Sequence, residues 1–460
     1  MEAQEERMTL RTTDFKRLEE EYKKPGSQIV VFYGREGCDQ HLYVRQFLRD
    51  KRFFYYQASK VSPQWQKKMF VEGISAQFPS ILKEQDYEGC FSQMARSTGR
   101  KFVFVVDEFQ LILKNDETFF SSLVKLKEKQ FSSADVMILL CSSAMVWIEE
   151  KLKDNLKQQY ENIDCVHKLM DWNFLDVVRA FPDYSVSQSV ELYGILGGIP
   201  GYLRHWDATK TTKENICRQI LTPEGALYGE AERYISTEIR ELSVYNTILA
   251  AIAGGNRKLN DLYNSTGFSR AKISVYLKNL MELEVIEKVV SFETGGWDNA
   301  QKGIYQIKDT FINFWFKFVF PYRSELAGLS TSAFYNKHIA KDLEEYLNRY
   351  FIQVCVEYMG LLNKVGKLPI KIKKIGTWIG KQGNIDIIAQ NDIRENIVGL
   401  CNWSEEKMTF ERYQNLEEMM KQARIRAKQY FLFSAKAFDE ALIAKSKEDS
   451  RFVLIDMTEL

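Results

Sequence analysis

QIVVFYGREGCDQH, residues Gln28–His41, is the stretch on which the reading of this chain turns. Gln28–Tyr33 is a short apolar run rich in β-branched and aromatic residues, which predicts a buried strand. Gly34 and Gly37 permit a tight turn, and the spacing of Leu42–Leu48 fits a helix. Phe53–Ala58, Lys101–Val106 and Val136–Cys141 repeat the strand signal, the last two separated by a helical Glu117–Gln130. Near-continuous apolar strands joined by helices predict a parallel sheet covered on both faces, so the chain opens with an α/β domain.

From about Asp171 to Arg240 helical spacing dominates, interrupted by the turn chemistry of Leu196–Tyr202 (LGGIPGY). Tyr245–Ala253 and Leu259–Ser265 then read as helices. Gly267 supplies a turn, and Ser269 can cap a third helix, Arg270–Leu283. Val285–Phe292 and Gly303–Ile307 read as strands around a Gly295-Gly296-Trp297 turn. Three helices followed by a β-ribbon predict a winged helix. Beyond it, helices are expected at Asp342–Leu362 and Phe410–Ala427, and strands at Lys367–Lys374, Asn384–Ala389, Asn396–Cys401 and Gln429–Phe433.

Composition bounds the function. With 460 residues, 45% hydrophobic and 27% charged, the chain can bury several cores, which excludes global disorder. The net charge of +1 leaves no whole-chain electrostatic case for nucleic acid or membrane, so any such case must be local. Seven scattered cysteines without a CxxC pair, and four separated histidines, predict reduced thiols and no metal site. No apolar signal core or bilayer-length run is present, and a cytoplasmic protein is expected.

A strand ending in Gly34 and leading into a helix is where the phosphate loop GxxxxGK[ST] belongs. Its glycines turn backbone amides toward phosphates, its Lys reaches the β and γ phosphates, and its hydroxyl ligates Mg²⁺. Here the candidate nucleotide residues are Gly34, Arg35, Gly37, Gln40 and His41: Asp39 takes the second Gly position, Gln40 the Lys position and His41 the Ser/Thr position. A helix N-terminus offers about half a positive charge, whereas Asp39 adds a full negative one. At ~5 Å and an effective dielectric of about 20, that repulsion is on the order of 3 kcal/mol. ATP and Mg²⁺ are therefore expected to bind weakly at best.

The second nucleotide signal is better kept. Val103–Glu108 (VFVVDE) is an apolar strand ending in Asp-Glu, the Walker B form, in which Asp107 would hold magnesium and Glu108 would polarise water. Ser142 and Ser143, ending the next strand, stand at a sensor position.

Together, VVFYGR (Val30–Arg35), FVVDEF (Phe104–Phe109), LLCSSAMVWIEEKL (Leu139–Leu152), YGILGGIPGYLRHWD (Tyr193–Asp207), EIREL (Glu238–Leu242) and KGIYQIKDTFINFWFKFVFPYRS (Lys302–Ser324) resemble the archaeal ATPase family. This is a STAND-like branch of AAA+ P-loop proteins. The resemblance implies a P-loop α/β domain (12–168), a helical lid (169–240), a winged helix (241–309) and an α/β domain similar to restriction-type PD-(D/E)xK nucleases (310–460). It also marks departures. The family's Gly-Lys-Thr/Ser falls on Asp39-Gln40-His41, and its Tyr-Gly-Arg on Tyr160-Glu161-Asn162. In the C-terminal domain Asp386 is kept, but the Glu-x-Lys motif falls on Leu400-Cys401-Asn402 and an upstream helical acid on Ile352. Such a site needs two or three carboxylates and a Lys, so Asp386 alone reads as a solvated relic or a hydrogen-bond partner of the adjacent hairpin.

Arg270, Lys272, Ser274 and Lys278 lie on the third helix of the winged-helix pattern and are the nucleic-acid candidates, although Glu282, Glu284 and Glu287 dilute the patch. The aromatic run Phe311–Tyr322 has no alternating basic partners beyond Lys317 and Arg323 and is expected in the core. Cys38, near a helix N-terminus, is expected to have a lowered pKa. The ancestral chemistry looks eroded while the apolar patterning is intact. The chain is thus expected to be a folded pseudoenzyme that regulates or scaffolds through an unidentified protein or nucleic-acid partner. The rivals are an ATPase run by Asp107 and Glu108, with Arg35 or an arginine from a partner replacing the missing cation, and a DNA-binding module.

Overall fold

The computed structural model describes residues 11–77, 86–128, 135–238, 241–292, 303–380 and 383–457. The expected Gly295-Gly296-Trp297 turn lies outside them. The chain forms two compact units. One comprises the residues up to Asp171 together with Ile199–Gly201, and the other Trp172–Gly198 together with Tyr202 onward.

In the first unit, helix α1 (Thr12–Lys23) leads into β1 (Gln28–Gly34) and α2 (Gln40–Phe47). β2 (Phe53–Gln57), α3 (Pro63–Gln77), α4 (Tyr87–Thr98), β3 (Phe102–Asp107), α5 (Thr118–Lys127), β4 (Val136–Ser142), α6 (Met145–Glu150) and β5 (Cys165–Leu169) follow. The five strands make one parallel sheet in the order β2-β3-β4-β1-β5. Alternation decides the layers. Ile29, Val31, Phe104, Val106, Ile138 and Leu140 face one core, while Val30, Phe32, Val103, Val105, Leu139 and Cys141 face another. Burying each such side chain is worth about 1.5–3 kcal/mol, so both faces of the central strands require helical cover. The four strands expected here form within a residue or two of their expected ends. β5 adds a fifth at the sheet edge, where Val166 is 41% exposed and the polar His167 and Lys168 break the apolar run.

The second unit begins with α7 (Phe174–Ala180) and α8 (Val186–Leu196), each opened by a capping box at Asn173 and Ser185. α9 (Glu230–Glu238) precedes three helices, α10 (Leu242–Ala253), α11 (Leu259–Thr266) and α12 (Arg270–Glu282). Gly267 closes α11 at φ +72°, and the Ser269 hydroxyl accepts the Lys272 N–H at 3.3 Å to open α12, as the sequence predicts. An antiparallel pair, β6 (Ile286–Val289) and β7 (Ile304–Ile307), follows. The aromatic run Phe311–Tyr322 is helical, and Phe311, Phe314, Trp315, Phe316 and Phe318 are buried, so it is core.

A long helix, α13 (Leu343–Lys364), then precedes a five-stranded mixed sheet. Its elements are β8 (Lys374–Ile379), β9 (Asn384–Gln390), β10 (Asn396–Asn402), α14 (Phe410–Ala423), β11 (Ala427–Ser434), α15 (Glu440–Glu448) and β12 (Phe452–Asp456). β8, β9 and β10 are antiparallel neighbours, and β10, β11 and β12 run parallel. α13 and α8 approach closely: a Cβ added at Gly194 would lie 2.4 Å from Leu347 Cδ2. Two expectations shift. The strand expected at Lys367–Lys374 begins only at Lys374, because Pro369 interrupts the preceding alternation and pairing with β9 starts at Gln390. The helix expected to reach Ala427 stops at Ala423, where Arg424 turns left-handed and Ala427 already belongs to β11.

Candidate functional site

β1 ends in Gly34, β4 in Ser142 and β3 in Asp107, on three neighbouring parallel strands. Tyr33 pairs with Ser142, and the Phe109 N–H donates to the Cys141 carbonyl at 3.2 Å. The glycine turn, the two serines and the acid pair therefore emerge at one edge of the sheet. Carboxyl-terminal strand edges of such sheets are where ligands bind.

The turn keeps a glycine-loop backbone with other side chains on it. A Cβ at Gly34 would stand 2.9 Å from the Leu169 carbonyl oxygen, so this glycine is required by the β1–β5 approach. Gly37 has φ +92°, and Asp39, at the second glycine position, has φ +58° in the left-handed region that favours glycine. Asp39 is buried. The Gln40 amide donates to the Phe32 carbonyl, folding this side chain back along β1. His41 is exposed.

Arg35, the proposed replacement cation, is buried and ion-paired to Asp171 at 3.6 Å. The other Asp171 oxygen accepts the Cys38 thiol at 3.2 Å. Burial, then the Asp171 charge, push that thiol well above its usual range, which overturns the expectation of a lowered value. The turn Ile199–Gly201 closes on the same loop. The Gly201 N–H donates to the Gly37 carbonyl at 2.8 Å, and a Cβ on Gly37 would meet Ile199 Cγ2 at 3.1 Å.

The acid pair is held by internal donors. Asp107 Oδ2 accepts the Tyr55 hydroxyl at 2.6 Å, and Oδ1 accepts the Glu108 N–H at 3.0 Å. Glu108 is itself left-handed (φ +52°), and its carboxylate accepts the Gln110 amide. Ser142 is fully buried, its hydroxyl accepting the Ala144 N–H at 3.1 Å, while Ser143 is half-buried. Tyr55 and Gln110 carry no motif and escape sequence reading.

In the second unit, Asp386 is not a solvated relic. It is half-buried on β9, and one carboxylate oxygen accepts the Cys401 N–H of β10 at 2.9 Å, the hydrogen-bonding role that was the other expectation. Burial raises its pKa from 3.8 to about 6, against the lowering effects of that hydrogen bond and of Arg412. Where a Glu-x-Lys motif would stand, Cys401 and Asn402 are buried. Arg412 donates to the Asn402 side chain at 2.9 Å and to the Cys401 carbonyl at 3.1 Å. Among the described residues no group of three or more His, Cys, Asp or Glu is placed to hold a metal ion.

The cations of α12 are exposed but engaged. Arg270 lies over the Tyr263 ring at 4.3 Å and donates to Asn260. Lys272 lies over Phe268 and Tyr276, and Lys278 pairs with Glu282 at 3.2 Å. The Ser274 hydroxyl donates back to the Arg270 carbonyl. Past β6, the Phe292 N–H donates to the Thr377 carbonyl at 2.8 Å, and the Ile379 N–H to the Ser291 hydroxyl at 2.9 Å, tying this segment to β8.

A five-stranded parallel sheet with a glycine turn after β1 and an Asp-Glu pair after β3 defines the first unit as a P-loop NTPase-like domain, joined in the chain to a C-terminal α/β sheet domain. Residues 9–205 match the model of an ATPase domain found predominantly in Archaea, and residues 315–439 that of archaeal and bacterial proteins of unknown function. The chain thus carries an archaeal-ATPase domain followed by that C-terminal domain. An uncharacterised protein of Methanocaldococcus jannaschii, MJECL04, is 28% identical over 388 residues, 83% of this chain and 84% of the relative. The Walker-type ATPase PABY2304 of Pyrococcus abyssi is similar at TM-score 0.47 and 17% identity, covering 67% of this chain and 95% of that one. The Aeropyrum pernix ORC2 protein, solved with ADPNP and ADP, gives 0.43 and 13%, over 70% and 95%. Among the described residues no helix is long and apolar enough to cross a membrane.

Proposed function

We propose that this protein works by binding rather than by turning over nucleotide. It is a regulator or scaffold for a protein or nucleic-acid partner, built on a P-loop fold whose phosphate-binding centre is eroded. The observation that carries this reading is the fate of the loop's side chains: a buried Asp39 in a glycine backbone conformation, and Gln40 folded back onto Phe32 where a Lys would reach phosphate. These residues do not fit a magnesium-bound triphosphate. A buried carboxylate, Asp39, stands at the second glycine position, Gln40 stands where the Lys would be, and Arg35 is committed to Asp171. The carboxylates that would serve the metal accept donors from Tyr55 and Gln110 instead.

The three helices and ribbon support a winged helix over 241–309, after a helical lid over 169–240. Engagement of its α12 cations by neighbouring rings and Glu282 favours a protein-contact role over DNA reading. The antiparallel-then-parallel sheet supports a nuclease-like domain over 310–460, with Asp386 retained as a structural acid. Seven free thiols support a reducing, cytoplasmic setting.

One observation favours the ATPase rival: Asp107 and Glu108 remain at the strand edge beside Ser142. A titration with a fluorescent ATP analogue, with and without Mg²⁺, on the wild type and Asp107→Asn separates the readings. The binding role predicts no micromolar, magnesium-dependent site. Such a site, lost in the variant, would establish the ATPase.

A further inference from the structure

The far end of the C-terminal sheet from Asp386 holds a feature that neither nucleotide nor nuclease chemistry uses. Gln390, Asn396 and Ala427 form one register row across β9, β10 and β11. Around that row opens a cavity of about 440 Å³, lined by Arg394, Arg424, Arg426, Lys428, Glu395 and Asn396 among others. Asp386 lies four residues up β9, ~13 Å away at the usual strand rise.

The charge there is unbalanced. Glu395 is the cavity's one carboxylate, and it is taken by Lys428 at 2.8 Å and by the Asn391 amide at 2.8 Å. Arg394, Arg424 and Arg426 are exposed, and among the described residues their guanidinium groups make neither an ion pair nor a hydrogen bond. Neighbouring lysines are engaged, Lys373 with Asp392 at 3.7 Å and Lys374 over the Phe292 ring. Three like charges around one cavity repel one another, and an anion relieves all three.

The cavity is also built. Asn396 is buried, and its amide donates to the carbonyls of Arg394 at 3.3 Å and Arg426 at 3.2 Å, tying two arginine-bearing loops together. Gln390 in turn donates to Asn396 at 2.8 Å. Arg394 (φ +64°) and Arg424 (φ +56°) occupy left-handed backbone where glycine or asparagine is the usual residue.

From this arrangement we infer a binding site for a compact ligand carrying two or more clustered phosphate groups. Guanidinium forks match phosphate oxygens bidentately, and three of them call for more charge in a few ångströms than one peptide carboxylate supplies. A cavity of this size takes a small molecule. Among the described residues no aromatic ring lines it, which favours recognition of the phosphates over a base. The site is independent of the P-loop edge.

Calorimetric titration of the full chain with inorganic triphosphate tests this, alongside Arg424→Gly/Arg426→Ala and Asp107→Asn. The site predicts 1:1 binding that weakens at least tenfold in the arginine variant, with an unchanged Tm, and persists in Asp107→Asn. ATP should compete no better than triphosphate. Absence of binding at low salt, or binding indifferent to the arginine variant, overturns the proposal. A third arm adds a 20-nucleotide DNA in single- and double-stranded form. Arginine-dependent DNA binding that triphosphate fails to displace would make this a nucleic-acid surface and likewise overturn it.

Discussion

The hydroxyl of Tyr55 donates to Asp107 Oδ2 at 2.6 Å, joining adjacent strands β2 and β3 where a P-loop protein would bring its metal. Burial and the Asp107 charge hold the phenol protonated far above its usual range, so it stays a donor at any physiological pH. The acid keeps its motif position while serving as a structural acceptor. Tyr55→Phe removes that donor from a half-buried carboxylate, and urea denaturation should register a loss of about 1.5 kcal/mol. If Asp107 were kept for a metal, the same change would instead improve Mg²⁺-dependent nucleotide binding with little effect on stability.

The Gly-Gly-Ile-Pro turn has its own structural reason. The Trp172 N–H donates to the Gly198 carbonyl at 2.7 Å, and a Cβ on Gly198 would stand 1.8 Å from the Trp172 carbonyl oxygen. No side-chain rotation relieves a clash with backbone. Gly198→Ala should therefore cost on the order of 3 kcal/mol or prevent soluble expression. A variant with wild-type Tm would show that the turn yields easily.

Asp386 makes stability depend on pH in a stated direction. Its folded value of about 6 lies above the unfolded 3.8, so the native state holds the proton more tightly. Its contribution is full below pH 3.8, declines as pH rises toward 6 and is gone above it. The difference is about 3 kcal/mol at most, since the group is only partly shielded from water. Comparing wild type with Asp386→Asn cancels the other titrating groups. The stability gap between them should move by up to that amount between pH 4 and pH 7, and a constant gap would rule the effect out.

Lys272 lies over two aromatic rings rather than reaching outward unencumbered. A gel shift with duplex DNA at low salt should give no retardation that Lys272→Glu abolishes. A steeply salt-dependent shift lost in that variant would restore α12 as a DNA-reading helix.

Much of the fold was legible because it rests on apolar continuity. β1, β3 and β4 are strands buried on both faces, and β2, at a sheet edge with Phe53 exposed, is legible from its aromatic run FFYYQ. β5 escaped notice because Val166, His167 and Lys168 sit at the sheet edge, where burial is incomplete and the run is broken. β12 (Phe452–Asp456) also escaped notice, although its FVLI run is apolar. In the P-loop region the motif positions could be read, since they are local in sequence. Their partners could not. Tyr55 reaches Asp107 across 52 residues, and the arginine cavity assembles the β9–β10 hairpin with the α14–β11 connection. Such pairings depend on strand order, which no local pattern encodes.

If the loop's side chains, and not its backbone, exclude the ligand, rebuilding them should restore binding. Mg²⁺-dependent binding of a fluorescent ATP analogue would be measured on the wild type and on Asp39→Gly/Gln40→Lys/His41→Thr. The wild type should show no micromolar binding and the triple variant should gain a site. Micromolar, Mg²⁺-dependent binding by the wild type, abolished by Asp107→Asn, would contradict that exclusion.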